Sequence, residues 1–137
     1  MPPRESQAIS PRPTPLYPSR LVGGRGSQPL RFYLGAHFAA VPGGGKLFRT
    51  DDDGVTWTTL LNFASGPSVG GLAYDAAAPD RVYAGLTTGE VRASHDAGVT
   101  WAALGSSVLG GLEDLALSLD GSHLFAATPS GVWRMAR

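Results

Sequence analysis

The chain contains no cysteine. Disulfides, thiolate metal sites and cysteine nucleophiles are therefore excluded, and the redox compartment stays open. Charge is scarce: 16% of residues are charged and the formal net charge is +0. Nothing in that balance draws the chain to nucleic acid or to an anionic membrane surface. No apolar run approaches the ~20 residues of a membrane span. The opening "MPPRESQAIS" lacks an apolar h-region and is not a secretory signal. A place outside the cell or in its envelope is expected only if the chain belongs to a longer secreted precursor. Long 3.6-residue periodicity is missing too. "GGLEDLALSL" comes nearest, yet Leu115, Leu117 and Leu119 alternate as in a strand.

What is present is unevenly distributed. Residues 1–29 hold four Arg (4, 12, 20 and 25), one Glu and seven of the eleven prolines. "PRPTPLYP" cannot run as a helix, and proline removes donors that a central strand needs. Residues 1–29 are expected to form an extended, flexible arm. Its four scattered Arg, without Lys or interleaved aromatics, make a poor nucleic-acid tail. Residues 30–137 carry seven basic and ten acidic residues, and the chain is 42% apolar overall, enough for a core.

From residue 30 the chain repeats itself. "TDDDGVTW" (50–57) and "SHDAGVTW" (94–101) align without a gap, 44 residues apart. Periods of this size mark propellers and solenoids. "RFYLGA" (31–36) matches "RVYAGL" (81–86) and "HLFAAT" (123–128). "KLFRT" before the first string matches "EVRAS" before the second and "GVWRM" near the end, while "VGGLAYD" (69–75) matches "LEDLALSLD" (112–120). The first unit carries the extra residues "FAAVPGG".

Each matching run is short, apolar and bounded by Gly, Pro or Asp, as strands are. The pattern predicts four strands per unit, in the second unit at about 69–74, 81–85, 90–94 and 100–104. Tight connections imply antiparallel meanders. The fold class is all-β: four-stranded blades of a β-propeller, in units of about 30–61, 62–105 and 106–137. That amounts to roughly two and a half blades, whereas a closed propeller takes ~4–8. The missing blades are expected in cis, with this chain as the C-terminal part, or from a homo-oligomer.

The repeated string falls where a third strand turns back into a fourth. Asp52 and Asp96 can accept turn N–H groups. Gly54 and Gly98 supply positive φ. Thr50 and Ser94 can add side-chain-to-backbone bonds, and Thr56 and Thr100 start a β-branched strand. Trp57 and Trp101 can anchor the hairpin, each able to bury about 150–250 Å². Every residue of the string has a folding task.

The two strings resemble the Asp-box, or BNR repeat, of sialidase-like β-propellers. The frame "APDRVYAGLTTGEV" is similar to repeats of bacterial sialidase-like, xyloglucanase-like and photosystem-assembly-factor-like proteins. The resemblance covers about residues 30–137. It implies that the boxes lie on the outer hairpin, away from the channel where ligands bind, and that Asp52 and Asp96 are structural. Sialidase catalysis would imply an arginine cluster, a Tyr–Glu pair, an acid and an Arg-Ile-Pro motif. That motif is absent, and the Glu residues are 5, 90 and 113.

Other chemistry has little support. "DDDG" lacks the spacing and closing Glu of a calcium loop. His37, His95 and His123 show no ligand spacing. "GGRG" at 23–26 lacks the strand-to-helix context of a phosphate loop. Asp75 and Asp120 align as turn residues, leaving Asp114 as the acid without a counterpart. No catalytic, cofactor or metal residue is assigned. The expected function is a non-catalytic binding or scaffold module for a carbohydrate or protein ligand. The alternative is a fragment of a sialidase-like or xyloglucanase-like glycoside hydrolase whose catalytic residues lie outside this chain.

Overall fold

A computed structural model describes residues 16–24, 30–38, 44–104 and 111–136. The described residues form strands and turns. Eleven strands make three antiparallel meanders. Sheet 1 contains β1 (Leu16–Gly23), β2 (Phe32–Phe38), β3 (Gly45–Thr50) and β4 (Thr58–Phe63) in that order. Sheet 2 contains β5 (Val69–Asp75), β6 (Ala78–Leu86), β7 (Val91–Ser94) and β8 (Ala102–Ala103). Sheet 3 contains β9 (Asp114–Leu117), β10 (His123–Thr128) and β11 (Gly131–Ala136). The strands expected in the second unit all appear, within a few residues.

The expected arm is corrected over Leu16–Gly23. This stretch is the first strand of sheet 1, so the first unit begins at residue 16 and not at 30. Two features let a proline-bearing stretch pair. It is an edge strand, with β2 on one side, and the register shifts between Pro18 and Arg20, a bulge that absorbs the missing donor. Residues 1–15 of the expected arm lie outside the described residues.

The sheets stack face to face, and their first strands gather: β5 neighbours both β1 and β9. Two cores result. Between sheets 1 and 2, Tyr33 and Leu47 meet Val69, Leu72, Val82, Ala84 and Leu86. Between sheets 2 and 3, Ala73, Tyr83, Val91 and Ala93 meet Leu112, Leu115, Leu124 and Ala126. Sheet 2 is thus covered on both faces, which explains why Val82 through Leu86 form an unbroken buried run instead of alternating.

Glycine brings sheets 2 and 3 together. A Cβ on Gly71 would lie 2.7 Å from the Leu115 nitrogen and 2.8 Å from the Asp114 carbonyl carbon. A Cβ on Gly70 would meet the Leu112 carbonyl oxygen and one on Gly85 would meet the Leu112 side chain, both below contact distance. The "VGG" that opens β5 is therefore a docking surface for backbone.

Candidate functional site

The two repeated strings fold into superimposable hydrogen-bond circuits. The Thr50 hydroxyl accepts the N–H of Gly54 at 2.9 Å and of Asp52 at 3.3 Å, and donates to Asp52 Oδ1 at 2.8 Å. Asp52 Oδ1 also accepts the Thr56 N–H at 2.9 Å, and Oδ2 accepts the Thr56 hydroxyl at 2.6 Å. The Trp57 indole N–H donates to the Gly54 carbonyl at 3.1 Å. In the second string, the Ser94 hydroxyl accepts from Gly98 at 2.8 Å and Asp96 at 3.3 Å, and donates to Asp96 Oδ1 at 2.7 Å. Asp96 accepts the N–H and hydroxyl of Thr100 at 2.9 and 2.5 Å, and Trp101 donates to Gly98 at 2.8 Å.

Each carboxylate accepts three hydrogen bonds from its own turn, which stabilises its charged form. Both are held at about 2, against an ordinary 3.8, chiefly by the hydroxyls of Thr56 and Thr100. Thr50 and Ser94 are each 1% exposed, so each circuit has one buried hydroxyl, while its bonds to Thr56 and Thr100 lie at the surface. Gly54 and Gly98 have φ of 90° and 89°. Asp53 and Ala97, just before them, also take left-handed φ, at 60° and 61°, which the sequence reading did not anticipate. Trp57 and Trp101 are half-buried, and Trp101 packs on the core between sheets 1 and 2. The strings lie on different sheets, at the β3–β4 and β7–β8 turns.

The three carboxylates of "DDD" do not converge. Asp51 pairs with Arg31 Nε at 2.6 Å and Arg49 Nε at 3.0 Å. Asp52 serves its turn, and Asp53 Oδ1 accepts the Leu30 N–H at 3.1 Å. Arg31 and Arg49 continue to sheet 2. Arg31 Nη1 reaches Asp80 at 2.6 Å, and Arg49 Nη1 donates to the Ala97 carbonyl at 2.5 Å. The buried Tyr33 hydroxyl donates to the Pro79 carbonyl at 3.0 Å, and burial raises its pKa. These polar ties flank a cleft of about 360 Å³ lined by Arg31, Pro79, Asp80, Arg81 and His95.

A second cluster sits where the first strands gather. Arg20 of β1 reaches across to sheet 3: Nη2 donates to the Glu113 carbonyl and Nε lies 3.9 Å from Asp114 Oδ1. Asp114 is thus an ion-pair partner, its side chain 67% exposed, and it also accepts the Leu115 N–H at 2.9 Å. Ser19 beside it donates to the carbonyls of Gly35 and Val69 at 3.2 and 3.4 Å. Farther along β1, β5 and β9, a cleft of about 400 Å³ is lined by Val22, Leu72, Tyr74, Leu115 and Leu117, among others.

Asp75 and Asp120 do occupy equivalent turns. Asp75 accepts the Ala77 N–H at 3.0 Å. Asp120 accepts the hydroxyls of Ser118 and Ser122, both at 2.7 Å, and is held at about 2, with Ser122 the larger cause. His37, His95 and His123 lie in three different sheets or their turns. Among the described residues, no group of three or more His, Asp and Glu is placed to hold a metal. Arg20 was missed in the sequence because it follows Pro18 in the stretch taken for an arm. The apolar pair "LV" that opens onto "GG" was the available signal.

No protein-family model and no curated protein matches the chain. Solved structures do. A Kuenenia stuttgartiensis hydrazine synthase chain matches with a TM-score of 0.62 and 13% identity over 88% of this chain and 45% of its own. A Niastella koreensis GH74 enzyme matches with a TM-score of 0.55 and 21% identity, covering 88% of this chain and 16% of that one. YCF48 bound to D1 peptide matches with a TM-score of 0.52 and 16% identity, covering 74% and 33%. These are β-propeller proteins, and the three sheets are blades of that fold. The chain spans less than half the length of each neighbour.

Proposed function

We propose that the chain is a non-catalytic propeller segment of the Asp-box type that acts as a binding and scaffold module within a larger propeller. The closed circuit of each repeated string carries this reading. Asp52 and Asp96 spend their hydrogen-bonding capacity on their own turns. Carboxylates so used are suited to holding a hairpin and poorly suited to proton transfer, which needs a pKa nearer the working pH. A ligand, carbohydrate or protein, would meet the gathered first strands, where Arg20, Asp114 and the neighbouring cleft offer polar and apolar contacts. One neighbour in fold, YCF48, is described bound to a peptide.

A second reading, a glycoside hydrolase fragment, is favoured by the likeness to the GH74 enzyme. Catalysis by this chain's own residues is tested in one assay. The chain is incubated with a fluorogenic sialoside and with xyloglucan, and Asp114→Ala and Asp96→Ala variants run in parallel. The binding reading expects no turnover, and a lower melting temperature for Asp96→Ala. Turnover that disappears in Asp114→Ala refutes it. An Asp96→Ala variant that melts like the parent refutes the structural role of the string.

A further inference from the structure

Equivalent positions in the three blades have unequal surroundings. Tyr33, Tyr83 and Phe125 occupy the same place in the matched second strands, and Leu47, Val91 and Val132 the same place in the third. Tyr33 and Leu47 are 0% exposed against sheet 2, and Tyr83 and Val91 are 1% exposed against sheet 3. Phe125 and Val132 are 38% and 76% exposed. The opposite faces show the same break. The register pairs Leu21 with Leu34, Leu72 with Ala84 and Leu115 with Ala126, which makes the three leucines equivalent. Leu72 and Leu115 are 2% and 5% exposed inside the two cores, whereas Leu21 is 59% exposed. The terminal faces thus carry the two halves of the joint that is closed twice inside the chain.

Charge follows the same rule. Arg49 crosses from sheet 1 to the carbonyl of Ala97, in the turn of the next blade. Arg134 is the counterpart of Arg49 in sheet 3, and Asp53 is the counterpart of Ala97 in sheet 1, with the same left-handed backbone. Repeating the step from sheet 1 to sheet 2 once more would bring Arg134 to the turn that bears the exposed Asp53. Opposite charges therefore meet where the internal joint has only a carbonyl.

We propose that the Phe125–Val132 face of sheet 3 is a blade-to-blade interface occupied by the Leu21 face of a second copy of this chain. The inference rests on the reading that the three sheets belong to a larger propeller, and it names the source of the remaining blades. The described residues form three sheets, so two copies would bring six together. Propellers close with ~4–8 blades, so two copies suffice and three overshoot. The contact is head-to-tail, formed twice around a two-fold axis.

The test uses the full chain. Light scattering after size exclusion is expected to give twice the 14.2 kDa chain mass. Val132→Asp and Leu21→Asp, both at exposed positions, should each give monomers with unchanged far-ultraviolet circular dichroism. A mixture of Arg134→Cys and Asp53→Cys chains should be joined by a short bismaleimide, and neither variant alone. The absence of native cysteine keeps that readout clean. Disruption by Val132→Asp but not Leu21→Asp would mean that the face binds itself, and overturns the proposal. So would a trimer or an open polymer. A monomeric parent that binds a hydrophobic dye, with the binding lost in Val132→Asp, overturns the second copy but leaves the larger propeller standing. A monomer that binds no dye and melts alike with either substitution removes both.

Discussion

Replacing Gly71 by alanine isolates the close approach between sheets 2 and 3. The added methyl carbon would lie 2.7 and 2.8 Å from backbone atoms of Leu115 and Asp114, and 2.9 Å from a Leu112 methyl. Gly71 is buried and its φ is not left-handed, so alanine brings no backbone strain of its own. Reduced freedom of the unfolded chain would even favour alanine by about 0.4–1 kcal/mol. Against that stands overpacking, typically about 1–3 kcal/mol, and backbone atoms yield less readily than a side-chain end. The net expectation is a loss of roughly 1–2 kcal/mol, read as a melting temperature lower by ~3–10 °C for a chain of this size. Gly111→Ala is the control, because its Cβ would meet a single atom, the Thr87 carbonyl oxygen at 3.2 Å. It should melt within a degree or two of the parent. Hydrogen exchange should quicken in β9 and β10 of Gly71→Ala while β2 and β3 keep their protection. If Gly71→Ala melts like Gly111→Ala, sheet 3 does not dock on β5 as described.

The acid limb of stability should report the turn aspartates. Asp52, Asp96 and Asp120 titrate near 2 when folded and near 3.8 when free. Their contribution is complete above the free value and is lost as pH falls through the folded one. The melting temperature should therefore drop between about pH 4 and pH 2, and an Asp52→Asn, Asp96→Asn double variant should flatten that drop; an unchanged slope would contradict the circuits. Arg49→Ala should destabilise by about 1–3 kcal/mol in denaturant titrations, because charged hydrogen bonds to Asp51 and Ala97 are lost together. Arg49→Lys should not restore it, since one ammonium cannot span both partners as the planar fork does; full rescue would mean that charge alone matters there.

The repeat period and the short apolar runs made the strands of sheet 2 legible from composition and spacing. The hydroxyl–Asp–Gly–Thr–Trp string was legible because its interactions are local, within five residues of chain. Sheet 1 was read less well. Its first strand hides in a proline-rich stretch, and pairing there depends on a bulge and an edge position that only the assembled sheet reveals. Arg20 and Asp114 are 94 residues apart in sequence, so no local pattern joins them. The tie from Arg49 to the Ala97 carbonyl ends on backbone, which carries no sequence signature. The left-handed Asp53 and Ala97 were missed because attention falls on the glycine that follows each.

Sheet 2 is buried on both sides, and its two faces have consequences for descent. The face toward sheet 3 presents Tyr83 and Val91 where sheet 1 presents Tyr33 and Leu47. Sheet 2 could therefore receive a duplicate of itself without any change of side chain at the joint. Tandem duplication of one 44-residue period would insert a unit that already fits both neighbours, and deletion of one would leave two matching faces to rejoin. Such a gene can lengthen or shorten by whole periods through recombination slippage, while point substitutions on the two faces must arise in pairs.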